Sequence, residues 1–155
     1  MLTIGAPAPD FTLNDQDNHR HSLSDLKGKH SLIYFYPKDD TPGCSMQACS
    51  LRDNLEELEK LGVKVYGVSG DSVESHKKFA DKYKLPFPVL SNPDKDMIAA
   101  YDAWGERSMY GRKFMGIIRS AVMIGPDLTI EAHWAKIQPL KTVPEVKKWL
   151  QDHNH

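Results

Sequence analysis

Two cysteines, Cys44 and Cys49, carry the most reactive side chains in this chain of 155 residues. The segment leading into them, Pro37-Lys38-Asp39-Asp40-Thr41-Pro42-Gly43-Cys44, joins an apolar run to a helical pattern. Thr41 fits a helix N-cap and Pro42 the first helical position, which makes Gly43 and Cys44 the second and third. Backbone N–H groups without helical partners converge on that first turn. The positive end of the helix dipole there favours negative charge on a sulfur. A free cysteine of pKa about 8.5 is only ~3% thiolate at pH 7, so full ionisation gains about 30-fold. An enzyme needs far more than that. The remainder must come from groups that hold and polarise an electrophile: the N–H groups of Gly43 and Cys44, the Thr41 hydroxyl and a cation. The same placement also suits an inert cysteine packed as a small apolar side chain below a Thr41 cap.

Cys49 follows Cys44 by five positions, so the pair is not a Cys-x-x-Cys exchange motif. Along a helix the two Cα atoms differ by about 7.5 Å in rise and by roughly 140° around the axis. A disulfide needs Cα atoms within ~7 Å and converging Cβ vectors. If these cysteines bond, the first helical turns must unwind, and helix ends open locally at modest cost. The alternative is an accidental exposed thiol on the polar face. Arg119 is the other chemical oddity, because it interrupts the apolar run Ile117 to Ile124. An arginine there either snorkels at a sheet edge or serves a buried anion, for which a thiolate is a candidate.

The elements that position these residues follow from pattern. Asp10 to Leu13 and Arg20 to Leu23 flank a turn-rich stretch and read as an N-terminal β-hairpin. Ser31 to Tyr36 and Val63 to Val68 are continuous apolar runs, suited to strands buried on both faces. Between them, Cys44, Ala48, Leu51, Leu55 and Leu58 form one helical stripe that ends at Gly62, with Cys49, Arg52 and Glu56 opposite. Helices are expected over Val73 to Tyr83, Lys95 to Tyr101 and Val143 to Leu150, and strands over Phe87 to Leu90, Ile117 to Ile124 and Thr129 to Trp134. Gly105 to Gly116 reads as a loop that could cover the site, and Tyr101, Trp104 and Tyr110 either line an opening or pack in the core. The order implies an α/β fold of the thioredoxin-like kind, a central mixed β-sheet flanked by helices. Without repeats or linkers, residues 1–155 read as one domain.

Composition narrows the function. A net charge of -1 argues against nucleic acid or anionic membrane as the main partner. No apolar run approaches the ~18 residues of a membrane span. Met1 to Pro7 shows no basic region followed by an apolar stretch, so no signal peptide is expected and the chain reads as cytoplasmic. Two cysteines are too few for a secreted disulfide scaffold. The seven histidines show no metal-ligand spacing with the cysteines, and His19, His21, His153 and His155 read as solvated.

Pro37-x-x-x-Thr41-x-x-Cys44 resembles the active-site motif of the peroxiredoxins. Tyr34 to Pro37, the run Thr41 to Cys49, Gly5 to Phe11, Leu51 to Asn54 and Tyr101-x-x-Trp104-Gly105-Glu106 are similar to the bacterioferritin comigratory protein, or peroxiredoxin Q, subfamily. The resemblance spans almost the whole chain and implies a thiol peroxidase with a thioredoxin-like fold and no cofactor or metal. It implies that Cys44 is the peroxidatic cysteine and Cys49 the resolving cysteine of the same chain, joined in an intramolecular disulfide. Thr41 would hydrogen-bond the peroxide, Gly43 would offer its N–H, Arg119 would stabilise thiolate and transition state, Pro37 would shield the sulfur, and Gln47 would orient the arginine. Hydroperoxides would be the substrates and thioredoxin, or a glutaredoxin-like protein, the reductant. An intramolecular bridge needs no second subunit, so a monomer is expected. Two other readings compete: a thiol–disulfide oxidoreductase, which wants the absent Cys-x-x-Cys, and a redox sensor in which a Cys44–Cys49 bridge changes shape for a partner.

Overall fold

A computed structural model describes residues 2–153. In chain order the elements are β1 (Thr12–Asn14), β2 (Arg20–Ser22), β3 (His30–Phe35), α1 (Pro42–Asp53), α2 (Leu55–Lys60), β4 (Val63–Ser69), α3 (Val73–Tyr83), β5 (Val89–Ser91), α4 (Asp96–Ala100), β6 (Trp104–Met109), β7 (Arg112–Ile117), β8 (Ser120–Ile124), β9 (Ile130–Trp134) and α5 (Thr142–Asp152). Seven strands form a mixed sheet in the order β2-β1-β5-β4-β3-β8-β9. The pairs β3–β4 and β4–β5 are parallel, because helices cross over between them, whereas β3–β8 and β8–β9 are antiparallel.

β3 is buried on both faces, as its unbroken apolar run requires. Leu32 and Tyr34 face a cluster with Cys44, Ala48, Leu51 and Val143, while Ile33 and Phe35 face one with Phe11, Leu26, Ile98 and Tyr101. Each fully buried leucine or isoleucine contributes about 1.5–3 kcal/mol by leaving water. Two packed faces therefore hold β3 firmly, and the residues that follow it start from a rigid support.

Three expectations need correction. The helix after β3 is not continuous: Asn54 adopts φ −110° and ψ 7° and separates α1 from α2. Its amide Nδ2 donates to the Ser50 carbonyl at 2.8 Å, an acceptor it shares with the Asn54 backbone N–H at 3.2 Å. The stripe Cys44, Ala48, Leu51, Leu55, Leu58 stays buried across the break. The stretch Gly105 to Gly116 is no loop: β6 and β7 pair from Trp104↔Ile117 to Met109↔Arg112. Its turn is Tyr110-Gly111, with φ 53° and 77°. Consequently Ile117 to Ile124 is not one strand, and Ile118 and Arg119 form the joint between β7 and β8.

The N-terminal hairpin is present, and its turn depends on Asp15. That carboxylate accepts the N–H groups of Asp17 and His19 and meets His21 Nε2 at 2.7 Å. His21 is thus half-buried rather than solvated, whereas His19 and His153 are exposed and His155 lies outside the described residues. Burial works to raise the Asp15 pKa, but the His21 hydrogen bond and the two N–H groups outweigh it and leave it lowered. A lowered folded pKa contributes stability above the ordinary carboxylate value, and that stability is lost as pH falls through the folded value. Asp15→Asn is expected to cost about 1–2 kcal/mol in urea unfolding at neutral pH. The difference from the parent should shrink steadily on acidification below about pH 4.

Candidate active site

The site forms where β3 hands over to α1. Pro37 follows the strand end, is half-buried, and precedes a loop that reaches Thr41, the N-cap, with extended φ −93° and ψ 155°. Pro42 occupies the first helical position, so Cys44 sits in the first turn as the spacing predicts. Thr41 does not cap with its side chain. Its hydroxyl donates instead to the Lys38 carbonyl at 3.0 Å.

Arg119 reaches this turn from the joint between β7 and β8. Its Nη2 donates to the Cys44 sulfur at 3.3 Å and its Nη1 to Gln47 Oε1 at 2.8 Å. Arg119 therefore points at the Cys44 sulfur and is not an edge residue reaching for water. Gln47 is completely buried, one helical turn beyond Cys44, and its Nε2 donates to Thr142 Oγ1 at 2.9 Å. The Thr142 hydroxyl in turn donates to the Gln138 carbonyl at 3.0 Å. The backbone is pinned as well, because Ile137 N–H donates to the Arg119 carbonyl at 3.0 Å. The guanidinium is held at both ends of its fork. The first turn of a helix and a fixed cation meet at one sulfur, an arrangement that favours negative charge there.

Gly43 has a reason to be glycine beyond its N–H. A Cβ at that position would lie 3.1 Å from Arg119 Nη2 and 3.4 Å from Pro139 Cγ. The bare backbone lets the guanidinium lie against the helix end. Thr142, Gln138 and Pro139 carry no sequence signal for this role; they sit nearly a hundred residues from Cys44 and meet it only through the fold.

Cys44 is buried and Cys49 half-buried, so Cys49 is not the fully exposed thiol that its place on the polar face predicts. Both lie within α1, whose intact turns keep them on different sides. Beside Arg119 a cleft of about 610 Å³ opens between the β6–β7 hairpin and the chain before α5, with Arg107, Ile118, Ile137 and Pro139 among its walls. A hollow of similar size, about 620 Å³, lies at the far end of the sheet by His30, Lys64 and Phe87 and contains no cysteine. None of the three aromatics considered for the opening is in the cleft wall. Tyr101 is buried with its hydroxyl on the Pro9 carbonyl, Trp104 lies under Lys95, and Tyr110 is 98% exposed at the hairpin turn.

The AhpC/TSA family matches residues 4–133. The chain belongs to that family and is a peroxiredoxin. Its relatives include the putative peroxiredoxin bcp of Coxiella burnetii, 43% identical over 94% of this chain and 96% of that one. Peroxiredoxin Bcp of Escherichia coli K12 is 41% identical over 98% and 97%. Among solved structures, peroxiredoxin Q of Xanthomonas campestris superposes with a TM-score of 0.89 at 34% identity, covering 99% of this chain and 97% of that one. A PrxQ mutant from Xylella fastidiosa reaches 0.92 at 32% identity, covering 100% and 99%. This peroxiredoxin has the thioredoxin-like α/β fold and is a thiol peroxidase. Among its described residues no helix is long and apolar enough to cross a membrane.

The packing at Gly43 makes a direct test. Gly43→Ala should displace the Arg119 guanidinium while leaving the helix intact, since alanine favours helix by about 1 kcal/mol over glycine. Peroxide-dependent thiol oxidation is expected to fall by about tenfold or more with an unchanged or slightly higher melting temperature. Stopped-flow kinetics beside thermal unfolding would check it, and a parent-like oxidation rate would contradict the packing argument.

Proposed function

We propose that this peroxiredoxin reduces hydrogen peroxide and organic hydroperoxides with Cys44 as the attacking thiolate and Cys49 as the thiol that resolves it. The observation that carries the reading is the 3.3 Å contact between Arg119 Nη2 and the Cys44 sulfur at the first turn of α1. The Cys44 sulfur attacks the terminal peroxide oxygen and the O–O bond breaks. The electron pair leaves on the departing oxygen, which takes a proton and exits as water or alcohol, and Cys44 becomes a sulfenic acid. Arg119 balances the charge that spreads along sulfur and the two oxygens, and the Gly43 N–H adds a donor. The Thr41 hydroxyl, with its hydrogen committed to Lys38, accepts from the peroxide. Pro37 limits water at the sulfur, and Gln47 orients Arg119.

The Cys49 sulfur then displaces hydroxide from the Cys44 sulfenic acid, forming the intramolecular disulfide and water. Because an intact α1 separates the two sulfurs, its first turns must open for this step. A dithiol protein returns two electrons, and we assign that part to thioredoxin or a glutaredoxin-like protein. The reaction is completed within one chain, which supports a monomeric, single-domain enzyme working in the cytoplasm where such reductants operate. A Xanthomonas campestris bacterioferritin comigratory protein, 32% identical, is described by its alkyl peroxide reduction activity, and we extend that substrate class to this chain.

Mass spectrometry after one equivalent of peroxide should find Cys44 and Cys49 in one bridged peptide. Cys44→Ser should abolish peroxide consumption in a thioredoxin-coupled assay, and retention of full turnover would sink the assignment. Arg119→Met should lower the oxidation rate by about 10²–10³, the usual cost of losing one charge-stabilising donor.

A further inference from the structure

A second buried polar cluster lies just before the cysteine turn, and nothing in the peroxide chemistry uses it. Asp39 and His76 are 8% and 0% exposed. The Asp39 carboxylate accepts the Tyr36 hydroxyl at 2.6 Å and the Ser75 hydroxyl at 2.8 Å, and its Oδ2 meets His76 Nδ1 at 2.7 Å. The Asp39 backbone N–H donates to Asp71 Oδ2 at 2.8 Å, and that oxygen also accepts the Ser69 hydroxyl at 2.7 Å. His76 Nε2 faces the Leu90 carbonyl at 3.0 Å. A carbonyl only accepts, so Nε2 carries a hydrogen, and one proton lies between Nδ1 and the carboxylate. Burial, reinforced by the Asp39 charge, pushes the Tyr36 phenol well above its usual range and keeps it a donor. Asp39, Asp71 and His76 bring potential ligand atoms within 4.8 Å of one another, but hydrogen bonds already engage these groups, and the cluster reads as a structural lock rather than a cation site.

The position of this lock matters. Asp40, the next residue, has φ 57°, a conformation unfavourable for a non-glycine residue. Helix α1 begins two residues later. At its other end, Arg52 Nη1 donates to the Tyr83 carbonyl at 2.6 Å, and Asn54 breaks the helix. Lys82 and Tyr83 also hold the Asp40 carboxylate, both at 2.8 Å. Helix α3 thus grips the chain on both sides of the segment that carries the two cysteines. The grip at Asp39 is buried, whereas the grip at Asp40 is exposed and weak.

We propose that Asp39, locked by Tyr36 and His76, is a positioning residue that confines opening of the cysteine helix to the chain beyond Asp40. The lock holds Pro37 to Asp39 in place while the first turns of α1 exchange between the closed arrangement, with Cys44 against Arg119, and an open one that reaches Cys49. The inference rests on the cysteine roles proposed above and adds the element that sets the balance between them. Losing the lock withdraws the closed arrangement without removing any group that touches the sulfur. The peroxide step should therefore slow while the disulfide step does not.

The full chain tests this with two quench-flow rates, Cys44 oxidation by hydrogen peroxide and conversion of sulfenic acid to disulfide, both read by mass spectrometry. Asp39→Ala should slow the first by about tenfold or more and leave the second unchanged or faster. Asp39→Asn should restore the first rate, because its amide can donate to a neutral His76 Nδ1 and to Ser75 while its oxygen still accepts from Tyr36. Proportional slowing of both steps, or no change in either, overturns the proposal, as does an Asp39→Asn variant as impaired as Asp39→Ala. Should Asp39→Ala fail to fold, Tyr36→Phe removes a single donor, and a fall of about fivefold in the first rate alone is the expected result. The same two criteria then decide. A Cys44→Ser protein that still consumes peroxide would instead remove the cysteine assignment, so the two failures are distinguishable.

Discussion

One charged contact organises this peroxiredoxin: the Arg119 guanidinium against the sulfur of Cys44. A half-buried guanidinium gives up part of its water, and that loss is offset where its donors are met. Here one nitrogen meets sulfur and another meets Gln47, which is itself held by Thr142. The absence of a side chain on Gly43 lets the cation approach the helix end. Three residues of α1 and one of α5 therefore adapt to a single charge.

The contact works only if both sides are firm, and each side is firm for a different reason. Arg119 stands at the junction of two sheets, where its carbonyl is bonded to Ile137 and the next residue enters the buried strand β8. Cys44 follows β3, packed on both faces, and a loop fastened to α3 through Asp39. Rigidity at these supports contrasts with the first turns of α1, which carry a buried cysteine and a half-buried one on a helix that cannot join them intact.

The departures from the pattern reading share a cause. The stripe from Cys44 to Leu58 correctly marked a buried face, yet periodicity cannot register that the backbone leaves helical geometry at Asn54 and divides the helix. The stretch from Gly105 to Gly116 looked irregular because it is polar and rich in glycine. It is nevertheless a hairpin, exposed over most of its length, so burial imposes no alternation on it. The run around Arg119 looked like one strand because apolar residues continue on both sides of the joint. Hydrophobicity reports burial, and it is blind to a change of sheet.

From the amino acids alone came the α/β order, the two doubly buried strands, the cysteine in the first turn of a helix and the impossibility of a bridge within that helix. These are local properties, set by covalent geometry, helical pitch and the alternation of apolar side chains. Resemblance to the peroxiredoxins added the roles of Thr41, Gln47 and Arg119, which local physics left open. Only the tertiary structure decided that Thr142 and Pro139 help to place the guanidinium, and that Asp39 and His76 meet. Those partners lie between about forty and a hundred positions apart, and no local rule connects them. Charge complementarity selects such contacts only after hydrophobic burial has brought the strands and helices together.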